Sequence, residues 1–248
     1  MSEKKEIIGF YGCPPRKIVN DIRMNHPGSE WIDLDVDFDA PDSGVLPVAY
    51  CRILRNIVDN AIANRESIDL ILAAVGSDKC DGGYYASYIL EKLGFKIIRI
   101  KNEEFDSNIK PEEMCVPISQ SGLPLDQKVD RIMKTVLADN HDNLEYVKPT
   151  HGFWGVPPND FEILKLFPDT THVFGWTRCV EAGRPADLAL ECYVESNLPT
   201  VFFTQSFCAK AQLAKYLAEK HDGIFIDADG KINNGVIARI EAFLELNG

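Results

Sequence analysis

Gly9-Phe10-Tyr11-Gly12-Cys13-Pro14-Pro15 recurs as Gly152-Phe153-Trp154-Gly155-Val156-Pro157-Pro158, with five of seven positions identical and one more an aromatic exchange. Each copy joins an apolar run to a glycine and then to a Pro-Pro pair. That is the pattern of a strand, a tight turn and a helix with proline in its first turn. A second pair of blocks follows in the same order. Cys80–Lys92 and Cys208–Lys220 share the cysteine, Ala86/Ala214, Tyr88/Tyr216, Glu91/Glu219 and Lys92/Lys220 without a gap. Two ordered matches predict an internal duplication, the first copy carrying extra residues near 37–47.

Working outward, the first half reads as strand 6–12, helix 14–25, strand 31–36, helix 48–63, strand 68–76, helix 81–93, strand 96–101 and helix 123–139. The second half reads as strand 150–155, helix 159–167, strand 171–176, helix 184–194, strand 199–204, helix 208–221, strand 223–227 and helix 233–246. Ile53, Leu54, Ile57, Val58, Ala61 and Ile62 form one helical apolar face. Ile68, Leu70, Ile71, Leu72, Ala73, Ala74 and Val75 form the near-continuous run of a strand covered on both faces. Alternating strands and helices imply parallel sheets with right-handed crossovers. The expected fold is α/β, with two Rossmann- or flavodoxin-like halves, residues 1–140 and 141–248, related by a pseudo-two-fold axis across a cleft. Residues 102–122 read as a loop beside that cleft and 140–149 as the crossing.

With 26 basic against 38 acidic residues, the formal charge is −12. A field of that sign repels nucleic-acid backbones and anionic membranes, and no basic cluster interrupts it. No apolar stretch approaches the roughly 20 residues of a membrane span. The seven cysteines are odd in number and widely spaced, with no C-x-x-C pair. Together with an amino terminus unlike an export signal, this predicts a cytoplasmic protein without a disulfide framework or a zinc knuckle.

In this reading Cys13, Cys80, Cys115, Cys179 and Cys208 all follow strands, whereas Cys51 and Cys192 fall inside helices. Ligands of open parallel sheets bind at the carboxyl ends of the strands. Thiolates are favoured there by helix amino termini, with Lys79 and Lys210 close in sequence. Cys13, Cys80, Cys179 and Cys208 are therefore candidate metal ligands, with Cys80, Cys208 and Glu181 candidate catalytic groups. Trp176 and Arg178 are candidate substrate-binding groups, Arg178 as a bidentate clamp for a carboxylate. Asp33, Asp35 and Asp37 alternate on an expected exposed strand face, and His151 and His172 read as structural. Gly82-Gly83 permits a close backbone approach, but neither G-x-G-x-x-G nor G-x-x-x-x-G-K is present.

Three functions fit these residues. The first is an enzyme acting on a small molecule with a cysteine-ligated iron–sulfur cluster. Its architecture is similar to that of quinolinate synthase and of 2-hydroxyacyl-CoA dehydratase subunits, without their local motifs. The second is a cofactor-independent two-cysteine isomerase, similar in size and halves to the aspartate/glutamate racemases, but with Asp81-Gly82 after Cys80 and Ala209-Lys210 after Cys208 in place of their motifs. The third is a non-catalytic module for a tetrapyrrole, a corrinoid or another small molecule. The expected partner is a small molecule, in particular a carboxylate; nucleic acid and membrane are not expected, and a homodimer is left open.

Overall fold

Strand β1 (Ile7–Tyr11) is apolar and buried beyond its first residue, so it needs a neighbour on each edge. It lies between β2 (Glu30–Asp33) and β3 (Ile68–Ala74), parallel to both, with Phe10 in register with Asp33 and Leu72. Strand β4 (Ile97–Ile100) continues the sheet beyond β3, giving the order β2-β1-β3-β4. The helices are α1 (Arg16–Asn25), α2 (Arg52–Ala63) and α3 (Asp81–Lys92).

The computed structural model describes residues 5–36, 38–76, 80–101, 110–138, 144–185, 187–230 and 232–248. Asp37, Lys79, residues 102–109 and residues 140–143, all included in the sequence expectations, lie outside the described residues. The chain divides into compact units Met1–Glu104 and Phe105–Gly248, earlier than the boundary expected at 140. The difference lies in α4 (Leu125–Lys134), expected in the first half. Its buried Lys128 Nζ donates to the carbonyls of Asp169 and Thr171, which fastens α4 to the second unit.

The second unit repeats the strand order with β5 (His151–Gly155), β6 (Thr171–Phe174), β7 (Thr200–Thr204) and β8 (Ile224–Asp227), all parallel, as β6-β5-β7-β8. Trp154, Phe174, Val194, Leu198, Phe202 and Leu217 form a core on one face of that sheet. The units are thus two four-stranded all-parallel sheets flanked by helices, consistent with a Rossmann/flavodoxin-like fold.

Helical boundaries depart from the reading in instructive places. The expected helix 159–167 is a short 3₁₀ segment, Phe161–Leu166, begun by an Asp160 carboxylate accepting from Glu162 N–H. β6 stops at Phe174 because Gly175 turns left-handed (φ +72°) and opens α5 (Gly175–Glu181). A side chain at Gly175 would meet the Trp154 ring and Gly155 N at 2.9 Å, so glycine is required there. Part of the expected helix 184–194 is the one-turn α6 (Leu188–Cys192); α7 (Ala211–Lys220) and α8 (Asn234–Leu246) follow near their expected places. No helix among the described residues is long and apolar enough to cross a membrane.

Candidate functional site

In the order β2-β1-β3-β4 the chain runs from β1 to one neighbour and later returns to the other. The switch point therefore lies between the ends of β1 and β3, where open α/β sheets form their ligand crevice. The end of β1 is held closely. Gly12 is left-handed (φ +73°), and a Cβ there would sit 2.6 Å from Ala74 O on β3. Gly12 N–H donates to Asp35 Oδ2 at 2.7 Å, tying β1 to the residues after β2. Cys13 follows, buried, and also left-handed at φ +59°. A non-glycine residue in that region stores strain, which surrounding structure must hold.

Across the switch point, α3 begins with exposed Cys80 at its N-cap. Tyr11 Oη donates to Gly83 O at 2.9 Å, fastening the first turn of α3 to the end of β1. Burial pushes the Tyr11 phenol above its ordinary range, so it serves as a neutral donor. Gly82 leaves room for the Leu54 side chain, which brings the starts of α2 and α3 together. Cys51, expected within a helix, is instead the buried N-cap of α2, because residues 48–50 form a turn.

Asp33 and Asp35 are not simply an exposed strand face. Asp33 Oδ1 accepts Asp35 N–H at 3.0 Å. Burial, and next the charge of Asp35, push the Asp33 carboxyl well above the usual carboxylate range. A row of polar residues on α2 holds the segment after β2. Asn60 Nδ2 donates to Leu34 O and Val36 O, Asn56 Nδ2 donates to Asp35 O, and Asp59 Oδ1 accepts from Ser43 N–H and Oγ–H. The sequence signal is the spacing of Asn56, Asp59 and Asn60 among the apolar residues Ile53, Leu54, Ile57, Val58, Ala61 and Ile62 of the helix.

In the second unit the corresponding switch point lies between β5 and β7. Polar side chains span it: Gln205 Nε2 donates to Pro157 O at 2.9 Å and to Asn159 Oδ1 at 3.3 Å. Cys208, half-buried, lies in the turn after Phe207, whose φ is +62°, and before α7. Cys80 and Cys208 thus each stand between the third strand of their sheet and the helix after it.

The second group of expected site residues lies on α5 rather than in a loop beyond a strand. Trp176 is half-buried. Cys179 is fully buried, with Sγ directed at Asp187 O (3.8 Å); burial, then Glu191, raise its thiol well above the ordinary value. A thiol so placed is a packed core group. Glu181 accepts Ile118 N–H at 2.6 Å, Ser119 N–H at 2.9 Å and the Ser119 hydroxyl. Both oxygens are committed, so Glu181 fastens residues 118–119 to α5. Arg178 is 1% exposed and lies over the Phe174 and Tyr193 rings, its Cζ 5.3 and 5.2 Å from their centroids.

Cys13 and Cys80 belong to the first unit and Cys179 and Cys208 to the second. Among the described residues no group of three or more His, Cys, Asp or Glu side chains is placed to hold a metal ion. Exposed Cys115 follows a 3₁₀ turn at Pro111–Glu113, and Cys192 ends α6. His151 and His172 lie on buried strand positions; His172 Nε2 donates to Val147 O at 2.8 Å, as a structural histidine does. A scan against protein-family models finds no match, and a search of curated proteins finds no similar sequence.

Proposed function

We propose that the chain is an enzyme acting on a small molecule at the carboxyl ends of its parallel strands, with cysteine thiols as the reacting groups. The observation that carries this reading is the position of Cys13 and Cys80 on the two sides of the β1–β3 switch point. A thiolate there takes a proton from a substrate carbon and becomes a thiol, or adds to an electrophilic carbon, and a thiol there returns a proton and becomes a thiolate. The strain held at Cys13 and the fastening of Tyr11 to the start of α3 support a preorganised site. The shared strand order and the two matched sequence blocks support descent of the units by duplication, which gives Cys208 the corresponding place in the second unit. The seven cysteines suit a cytoplasmic setting.

A cysteine-ligated iron–sulfur cluster finds no support among the described residues, which bring no three potential ligands together.

Iodoacetamide labelling mapped by peptide mass spectrometry tests the thiol reading, using uncharged amides and thioesters chosen by thermal-shift screening. A compound that raises Tm is expected to slow alkylation of exposed Cys80 about tenfold, equivalent to ~1.4 kcal/mol, while exposed Cys115 reacts at an unchanged rate. Stabilising compounds that never protect Cys80 overturn it.

A further inference from the structure

Arg178 presents five N–H donors on a charged, planar group, and the described residues meet none of them with a hydrogen bond or an ion pair. Its Nε is fully buried and unpartnered. The carboxylate one helical turn away, Glu181, is consumed by Ile118 and Ser119. The Phe174 and Tyr193 centroids are only 6.1 Å apart, so both rings lie to one side of the guanidinium and hydrogen-bond to none of its edge. Cation–π attraction offsets only part of the cost of taking such a charge out of water, and a buried charge is ordinarily paired.

The surroundings deepen the imbalance. Lys128 is a second buried cation, its ammonium donating to backbone carbonyls rather than to a carboxylate. His172, beside Phe174, is held neutral, first by burial, with Lys128 and Arg178 adding to the effect. This interior thus carries positive charge with donors to spare, and among the described residues no acceptor meets Arg178 Nε.

We infer that Arg178 anchors an anion site in the second unit, taking the carboxylate of a small organic molecule. The guanidinium edge matches a carboxylate through two parallel N–H···O bonds. The attraction of Glu181 and Glu195 already acts on Arg178, which favours a singly charged ligand over a phosphate dianion. Half-buried Tyr193 offers aromatic surface to the organic remainder. Phe174 is buried whereas Tyr193 is half-buried, so the ligand enters beside Tyr193. This site lies on α5 and the α6–β7 connection, and it stands apart from the thiol reading of the first unit.

The test titrates benzoate and acetate into the full chain at constant ionic strength, with inorganic phosphate and sulfate as a second arm. Thermal unfolding is followed together with the Arg178 Nε–H resonance in ¹⁵N-arginine-labelled protein, assigned by its loss in Arg178→Lys. Benzoate is expected to give a saturable rise in Tm and to shift that resonance. Binding should weaken at least about tenfold, or ~1.4 kcal/mol, in Arg178→Met, and less in Arg178→Lys, which keeps the charge without the fork. The resonance gives a readout on unaltered protein should the variants fold poorly. A wild-type protein indifferent to benzoate and acetate, or an equal response in Arg178→Met, overturns the site. Tighter binding of phosphate or sulfate than of either carboxylate overturns the ligand class.

Discussion

Replacing Arg178 by methionine is expected to stabilise the unliganded protein, against the usual direction of a substitution at a fully buried position. Burying a guanidinium without a hydrogen-bonded counter-charge costs several kcal/mol even after relaxation. Against this, the rings of Phe174 and Tyr193, 5.3 and 5.2 Å from Cζ, return about 0.5–2 kcal/mol each. Glu181 and Glu195 attract it without forming an ion pair, so each lies beyond 4 Å and supplies less than about 4 kcal/mol at an effective dielectric of about 20. Burial outweighs these attractions and leaves the Arg178 pKa below its ordinary value. Methionine fills similar volume, keeps the contact with both rings through a polarizable thioether worth about 0.3–1.5 kcal/mol, and carries no charge. Buried charges replaced by apolar groups of similar size give gains of about 1–4 kcal/mol, and a value of about 1–3 is expected here. With a urea m-value of about 2 kcal/mol/M, the midpoint rises by roughly 0.5–1.5 M. Urea unfolding followed by tryptophan fluorescence measures it, because Trp154 is fully buried in the core of the second unit. The two units are to be fitted as separate transitions if the curve is not two-state. A fall in the midpoint equivalent to more than about 2 kcal/mol would show that Arg178 is satisfied within the fold, and the reasoning would fail.

Glu181→Gln removes the charge from a carboxylate that accepts from Ile118 and Ser119, so a loss of about 2–4 kcal/mol is expected. Faster amide exchange at those two residues checks it; unchanged exchange would count against the fastening role. His172 titrates near 4 in the fold against 6.5 when unperturbed, first because it is buried. The unfolded chain then binds more protons between those values, so stability is full above about pH 6.5 and falls as pH drops toward 4, by at most about 3 kcal/mol. His172→Asn should flatten this acid limb in thermal unfolding measured across pH 4–7, and an unchanged limb would refute the assignment. Asn60→Ala leaves the carbonyls of Leu34 and Val36 without their donor, at an expected cost of about 1–3 kcal/mol. Rapid proteolysis of the loop before α2 should accompany that loss, and a cut pattern identical to the wild type would argue against the strap.

Local sequence determined the strands because their requirements are local. Ile68–Ala74 is apolar at nearly every position, and only a strand covered on both faces makes use of that pattern. Gly12 and Gly155 were legible as turn points because each copy places glycine before a Pro-Pro pair, and both β1 and β5 do end there. The alternation of strands and helices was enough to set the parallel sheets, since right-handed crossovers leave few other topologies. Cysteine positions after β1 and β3 followed from the same alternation.

Tertiary contact decided which polar groups are available for chemistry, a matter of partners distant in sequence. Glu181 reads as an acid or base in the string Trp176-Thr177-Arg178-Cys179-Val180-Glu181, yet residues 118–119, more than sixty positions away, occupy both of its oxygens. Cys179 and Cys51 exchanged places for a similar reason. The left-handed turn at Gly175 carries Cys179 into a helix and so into the core, whereas the turn at residues 48–50 moves Cys51 out of a helix to its N-cap. Arg178 reads in the sequence as a carboxylate clamp, but its burial without a hydrogen-bond partner among the described residues depends on the packing of Phe174 and Tyr193 against it. Periodicity records which way a side chain faces. Whether a charge there finds a counter-charge is set by elements that sequence neighbours do not encode, and that balance exists only once the chain has packed.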